Sequence, residues 1–359
     1  MFQHLKKGDI LISNIRPYFK KIWFADIDGG ASTDVLVIKN KNRNKISDEF
    51  LYYTLFKDDF FDYVMSGAKG TKMPRGDKNA IMKYQIVVPN IEEQKKIVNL
   101  FISLDKKIEL NNEMNKTLEE MAQALFKRWF VDFEFPNDEG KPYKSSGGEM
   151  VESELGMIPK GWNVDAVGEL GKVITGKTPP TKNAENYGDE YNFITPVDMK
   201  NECYIIETQR KLSRVGYEKV KNFIVPTNSI GVTCIGSNLG EVYINDKECF
   251  TNQQINSLIL RDEDQYPYFY IALKRMKDDF LNIAGGSAVP IINKTTFSQI
   301  LVLIPNKKEL DCFSTVTMKI FERIKENTIQ NINLKELRDS LLPKLMSGEI
   351  RVDNVETDI

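Results

Sequence analysis

Histidine is nearly absent from this chain: 359 residues contain a single one, His4. Ser/His/Asp triads, His-ligated metals and imidazole proton shuttles would all depend on that residue near a terminus, so these chemistries are set aside. Cysteine is scarce as well. Cys203, Cys234, Cys249 and Cys312 are widely spaced with no C-x-x-C pair, which reads as reduced, partly buried thiols and not as a zinc site or a disulfide framework. No apolar run approaches the roughly 18 residues of a spanning helix, and the first residues hold no signal-peptide core, so no membrane partner and a cytoplasmic location are expected. An excess of one charge is missing too. Lys and Arg total 49 against 51 Asp and Glu, a net charge of -2, so any nucleic-acid surface must be local. What is present, 41% hydrophobic and 28% charged residues, suits a globular chain of about two domains with a substantial exposed helical component.

The chain repeats itself. Lys57-Asp58-Asp59-Phe60 recurs as Lys277-Asp278-Asp279-Phe280, and Gly8 to Ser13 lies over Asn228 to Thr233 at the same spacing of 220. Further on the spacing becomes 216, where Gly70 and Pro74 meet Gly286 and Pro290, and Val87-Val88-Pro89-Asn90 meets Leu303-Ile304-Pro305-Asn306. Each copy ends in Pro-Asn and enters a long helical pattern, so the repeat unit is a mixed domain followed by a helix. Short apolar runs at Ile10 to Ile12, Val35 to Ile38, Ile230 to Cys234 and Leu258 to Leu260 read as strands, with single helices expected at Glu49 to Tyr63 and Pro267 to Ile283. Asn137 to Gly148 reads as a linker.

The helical pattern is the sharpest signal. Ile97, Phe101, Leu104, Ile108, Asn111, Asn115, Leu118, Ala122, Leu125 and Trp129 alternate steps of four and three, and the second copy matches with Phe313, Thr317, Ile320, Ile324, Asn327, Asn331, Leu334, Arg338, Leu341 and Leu345. Each helix of about 40 residues would be about 60 Å long, more than one small domain can cover, so an intramolecular coiled coil is expected. Asn111, Asn115, Asn327 and Asn331 form matching layers, because an amide in an apolar seam costs stability unless a partner amide meets it. The layers fit either direction. Antiparallel pairing sets Asn111 against Asn331, Asn115 against Asn327, Phe101 against Leu341 and Trp129 against Phe313. Pro343 should kink or stop the second helix.

Catalytic motifs are weak. Gly171 to Thr178 fits G-x-x-x-x-G-K-T, but Pro179 and Pro180 follow at once and bias Thr178 away from the helix a phosphate-binding loop needs. Asp198 and Lys200 faintly resemble a nuclease motif without its second carboxylate, and read as loop residues. Three groups suit DNA contact: Lys172, Lys177 and Thr178; Ser237 and Asn238 in the turn after Gly236; and Asn252, Gln253 and Gln254. Amides pair with adenine edges, and Lys or Thr with phosphates. For each group a solvated turn or a hydrogen bond within the fold is the alternative reading.

Glu93-Gln94-Lys95-Lys96-Ile97, the run Met121 to Phe133, Ile158-Pro159-Lys160-Gly161-Trp162 and Leu341 to Ile350 together give the chain a resemblance to the specificity (S) subunits of type I restriction-modification systems. With the repeat, the resemblance spans essentially the whole chain. It implies an α+β fold of two target-recognition domains, each followed by a conserved long helix, the two helices pairing antiparallel as a ruler between the halves of a split DNA sequence. The implied divisions are 1–90 for a truncated first recognition domain, 91–135 for the first helix, 136–154 for a linker, 155–305 for a complete second recognition domain, 306–347 for the second helix and 348–359 for a tail. The first domain is expected to be truncated because the second copy has about 70 residues before the strand matching Gly8 to Ser13 and the first has seven, as a misassigned start, a disrupted gene or a recombination product would leave it. The resemblance also implies double-stranded DNA as ligand, methyltransferase (M) subunits as partners and restriction (R) subunits reached through them. S-adenosylmethionine, ATP and Mg would be used by those partners, and no cofactor or metal by this non-catalytic chain. A half-specificity subunit reading one half-site, a stand-alone nuclease or NTPase, and a protein-binding adaptor are the competing readings.

Overall fold

Both long helices begin where the sequence is punctuated. In the computed structural model, which describes residues 2–200, 202–285 and 290–354, the Asn90 side-chain oxygen accepts a hydrogen bond from Glu93 N at 3.0 Å and caps a helix over Ile91–Phe126. Gln94, fully buried, is satisfied at both ends of its amide. Its Nε2 donates to Lys45 O and Pro89 O at 2.9 and 2.8 Å, and its Oε1 accepts from Ser47 N at 2.9 Å. The second long helix covers Lys307–Ser347 and does not stop at Pro343. Leu342, Leu345 and Met346 are buried in one cluster, and their packing outweighs the single backbone hydrogen bond a proline removes four residues before the end.

The chain forms two compact units, one of Met1–Leu110 with Gln330–Ile359 and the other of Asn111–Ile329. Each unit holds one end of both long helices, and in each the helices run antiparallel. In the first, Ile97, Phe101, Leu104 and Ile108 share a cluster with Leu334, Leu341, Leu342 and Leu345. Arg338, in the seam, meets Asp105 at 2.8 Å, with 15% of its side chain exposed. In the second unit, Trp129 lies 6.0 Å from Phe313, and Asn327 Nδ2 donates to Asn115 Oδ1 at 2.8 Å. The direction left open by the Asn layers is therefore antiparallel. Asn111 and Asn331 are both buried.

The repeat is exact at the level of strand register. In the first unit Ile10–Ser13 lies between Ile22–Phe24 and Val35–Ile38, with Ile10 opposite Phe24 and Ile38. In the second, Ile230–Thr233 lies between Val242–Asn245 and Ile255–Leu260, with Ile230 opposite Ile244 and Leu258, every partner 220 residues on. Tyr204–Ile205 and Gly171–Thr175 extend this second sheet to five strands, whereas the first has three. Gly29–Ser32 is paired on one of its two sides, in a two-stranded sheet. It pairs antiparallel with Phe2–Leu5, while its counterpart Cys249–Thr251 pairs parallel with Tyr191–Ile194. Gly286, aligned above with Gly70, and the tail from 355 onward lie outside the described residues.

Each expected single helix is two. Asp48–Phe56 is followed by Asp58–Ser66, and Tyr266–Arg275 by Lys277–Ile283. The break falls at the repeated Lys-Asp-Asp-Phe, which places two carboxylates in the first turn of the new helix, where the dipole favours them, and buries Phe60 and Phe280. The segment Asn137 to Gly148 is also more than a linker. Tyr143 stacks on Phe135 at 4.6 Å, and a Cβ on Gly148 would lie 2.3 Å from the Tyr143 ring, so only glycine lets the chain pass there. Phe135 in turn stacks on Trp162 at 4.8 Å, and Phe130 lies 4.9 Å from Phe313. The first long helix widens into a π-turn over Lys127–Val131, which lets consecutive Trp129 and Phe130 both turn inward.

Candidate nucleic-acid interface

Strand pairing in the second unit brings three loops to one end of its five-stranded sheet. Thr175 lies opposite Asn256 and Thr233 opposite Ile255, so the chain leaving Thr175, the chain entering Ile255 and the chain leaving Thr233 all emerge together. These loops carry Lys177 and Thr178, then Asn252, Gln253 and Gln254, then Ser237 and Asn238. Lys172 is not among them. It lies opposite Ile259, about 10 Å back along its strand at 3.3 Å per residue.

Side-chain hydrogen bonds fix the roles within the cluster. Thr178 Oγ1 donates to Gln253 Oε1 at 2.7 Å, joining two loops through exposed groups. Asn252 is buried: its Nδ2 donates to Gln254 Oε1 at 2.8 Å and its Oδ1 accepts from Gln254 N at 3.1 Å. Asn252 is therefore a support for Gln254 and not a surface amide. Ser237 Oγ lies 3.1 Å from Asn238 Oδ1, and Asn238 Nδ2 is 3.4 Å from Glu241 Oε2, in a turn opened by Gly236 at φ 91°. The Lys177 ammonium sits over the Phe223 ring at 5.2 Å. Behind the loops Cys234 is buried, which pushes its thiol up to about 11, so it is protonated at neutral pH.

Gly171 to Thr178 is not a phosphate-binding loop. Gly171–Thr175 is a strand, and Thr178 leads through Pro179 and Pro180 into a turn and the three-residue 3-10 helix Ala184–Asn186, with no α-helix starting at the motif's end. A Cβ on Gly176 would fall 2.1 Å from Thr251 Oγ1, so this glycine allows one loop to cross close to another. Asp198 is spent on its own loop: it accepts from Thr195 N, Thr195 Oγ1 and Gln209 N, each at 2.8 Å.

Composition and motifs gave no reason to single out the neighbouring groove. Asn186 Nδ2 donates to Pro180 O at 2.8 Å and Tyr187 OH to Pro179 O at 3.2 Å, fixing the loop after Thr178. Beside it lies an open groove of about 460 Å³ bordered by Thr181, Tyr187, Gln209, Arg210 and Lys211. The only sequence trace of it is the short run Gln209-Arg210-Lys211.

Residues 2–120 and 159–338 match the family model for the type I restriction modification DNA specificity domain. The chain is 34% identical to the type I restriction enzyme HindI specificity subunit of Haemophilus influenzae, covering 96% of this chain and 87% of that one. It is 28% identical to the MjaIX specificity subunit of Methanocaldococcus jannaschii, over 87% of this chain and 71% of that one. A crystal structure of a type I restriction-modification S subunit from M. genitalium shares the fold, with a TM-score of 0.53 at 14% identity, covering 96% of this chain and 84% of that one.

Proposed function

This chain belongs to the type I restriction-modification DNA specificity family, and from that premise we propose that its two units each read one half of a split DNA sequence. It is the DNA-recognition specificity subunit of such a system. The observation that carries the two-part reading is the repeat itself: one strand register recurs in both units, each built on one end of the paired helices. In the second unit the groups at the sheet end divide the work. Lys177, with Arg210 beside the groove, supplies positive charge for phosphates, while Gln253, Thr178 and Gln254, the last held by Asn252, supply hydrogen-bonding groups for base edges. Ser237 and Asn238 border the same end, and Lys172 contributes charge from farther along the strand. Methyltransferase subunits carrying S-adenosylmethionine would act at the bound site, restriction subunits using ATP and Mg would join through them, and the chain itself would bind no cofactor.

Retention of random-sequence and selected duplexes across a salt series tests this reading. Lys177→Ala should weaken binding to every sequence and lower the salt slope by about one unit, as one phosphate contact requires. Gln253→Ala should change which sequences are retained and leave the slope alone. An unchanged slope for Lys177→Ala together with unchanged selection for Gln253→Ala would remove this sheet end from the interface. Turnover of DNA by the isolated chain would instead favour the enzyme reading, and a single selected element the half-site reading.

A further inference from the structure

The loop pairing at the sheet end is duplicated in the first unit, with different side chains. Gly236 N donates to Pro290 O at 3.1 Å, and Arg16 N donates to Pro74 O at 2.8 Å. Cys234 N donates to Gln254 O at 2.7 Å, and Asn14 N to Asp34 O at 2.9 Å. Ile235 bridges Ile291 as Ile15 bridges Arg75. Asp34 thus occupies the place of Gln254, Arg75 that of Ile291 and Arg16 that of Gly236. Where the second unit presents amides and an apolar side chain, the first presents a carboxylate and two guanidinium groups.

Arg75 Nη2 lies 3.2 Å from Asp34 Oδ1, with 58% and 44% of the two side chains exposed. A pair this open to water adds little to stability. What it does is aim the guanidinium. Among the described residues the other N–H groups of the fork have no protein partner, and a fork with two free parallel donors matches O6 and N7 of guanine in the major groove. Arg16 and Lys72, both exposed and in no described ion pair, flank it with charge for phosphates. Arg16 is held in the left-handed region at φ 51°, where its counterpart is glycine.

We propose that Arg75, oriented by Asp34, reads a guanine in the half-site of the first unit. The inference rests on the two-part DNA reading above and assigns one base contact within it.

The test uses the full-length chain assembled with methyltransferase subunits of a type I system, presented with a randomised duplex library and sequenced after retention. Arg75→Ala and Arg75→Lys should both lose preference for G·C at one position of one sequence element, by about tenfold, the size of one bidentate contact. Lysine keeps the charge and lacks the fork, so its failure to rescue separates base reading from phosphate contact. Asp34→Asn should blur the same position and no other. Gln253→Ala should alter the other element, which assigns each element to its unit, and Lys72→Ala should lower retention of all sequences with the selected pattern intact. The assignment is overturned if the guanine preference survives in both Arg75 variants, if Arg75→Lys restores it, or if the loss spreads evenly over all positions. A wild-type complex that selects no sequence overturns the DNA reading itself, an outcome distinct from selection that is unaffected by Arg75. Thermal melts of each variant separate misfolding from lost contact, and Arg75→Lys, which keeps size and charge, decides if Arg75→Ala unfolds.

Discussion

Tyr53 donates its hydroxyl to Asp105 at 2.7 Å, and Asp105 also receives the Arg338 guanidinium at 2.8 Å, so one carboxylate holds a body helix and the second long helix of the first unit. Burial and then the neighbouring carboxylate hold the Tyr53 hydroxyl well above its ordinary value of 10.0. Tyr52 and Tyr266 are pushed up to about 12, chiefly by burial. The sign follows from the neutral form being favoured in the folded state. Stability from these groups is complete below pH 10, where the unfolded chain also keeps them protonated, and falls above it as the unfolded chain alone ionises. The tyrosine contribution to the thermal midpoint should therefore hold up to about pH 10 and drop beyond it, after an earlier decline from about pH 9 as the buried Cys234 thiol ionises in the unfolded chain alone, and the absorbance of the buried tyrosinates should appear together with unfolding. Tyrosinate signal from all tyrosines at pH 10 in a chain that is still folded would contradict the burial assigned to them.

At the scale of elements, the seam of the long helices is mostly apolar, interrupted by the amide layers, by buried Thr317 and by Arg338 with its Asp105 partner. Asn327 and Asn115 share a hydrogen bond, Asn115 Nδ2 adds one to Thr328 Oγ1 at 3.2 Å, and Asn327 Oδ1 takes no described partner. Removing one amide strands the other. Asn327→Leu should therefore lower stability by about 1–3 kcal/mol. Adding Asn115→Leu should recover most of that loss, because two leucines bury apolar surface where two amides were desolvated, at the expense of a less uniquely defined register. A thermodynamic cycle over the single and double variants measures the coupling, and additive effects would show that the amides do not act as a pair. Pro343 belongs to this scale as well, since the leucines and methionine around it keep its helix intact.

Over the whole molecule, the first unit is discontinuous. Phe50, Tyr53 and Phe101 come from the first third of the chain, while Leu342, Leu345 and Met346, packed in the same cluster, come from its C-terminal end. The body of the first unit therefore depends on residues nearly 300 positions away, and the second unit does not: its clusters around Ile255 and around Phe250 are drawn from positions 187–255. Leu345→Ala should cost about 2–5 kcal/mol through the cavity it leaves. Its effect on amide exchange should fall on Ile10–Ser13, Val35–Ile38 and Asp48–Phe56, with protection of Ile230–Thr233 and Ile255–Leu260 retained. Equal loss in both units would mean that they unfold as one body.

Periodicity and repetition are local properties of a sequence, and they determined a good deal here. The heptad steps identified both long helices and their four Asn positions, and the 220-residue spacing identified strands whose registers match partner for partner. Three further features required the folded chain. The Asn layers are symmetric about their centre, so only the return path of the chain, bringing Trp129 to Phe313, set the direction of pairing. Asn252, Gln253 and Gln254 look alike as a string of amides, but strand pairing buries the first, leaves the second exposed and ties the third to the first, because a side chain's availability depends on what packs over it. Lys172 and Lys177 read as one basic group in sequence, yet the extended strand separates them, while Thr178 and Gln253, 75 positions apart, share a hydrogen bond. Sequence spacing states which residues can lie on one face. Which faces meet is decided by the long-range pairing that burial of the sheets and helices enforces.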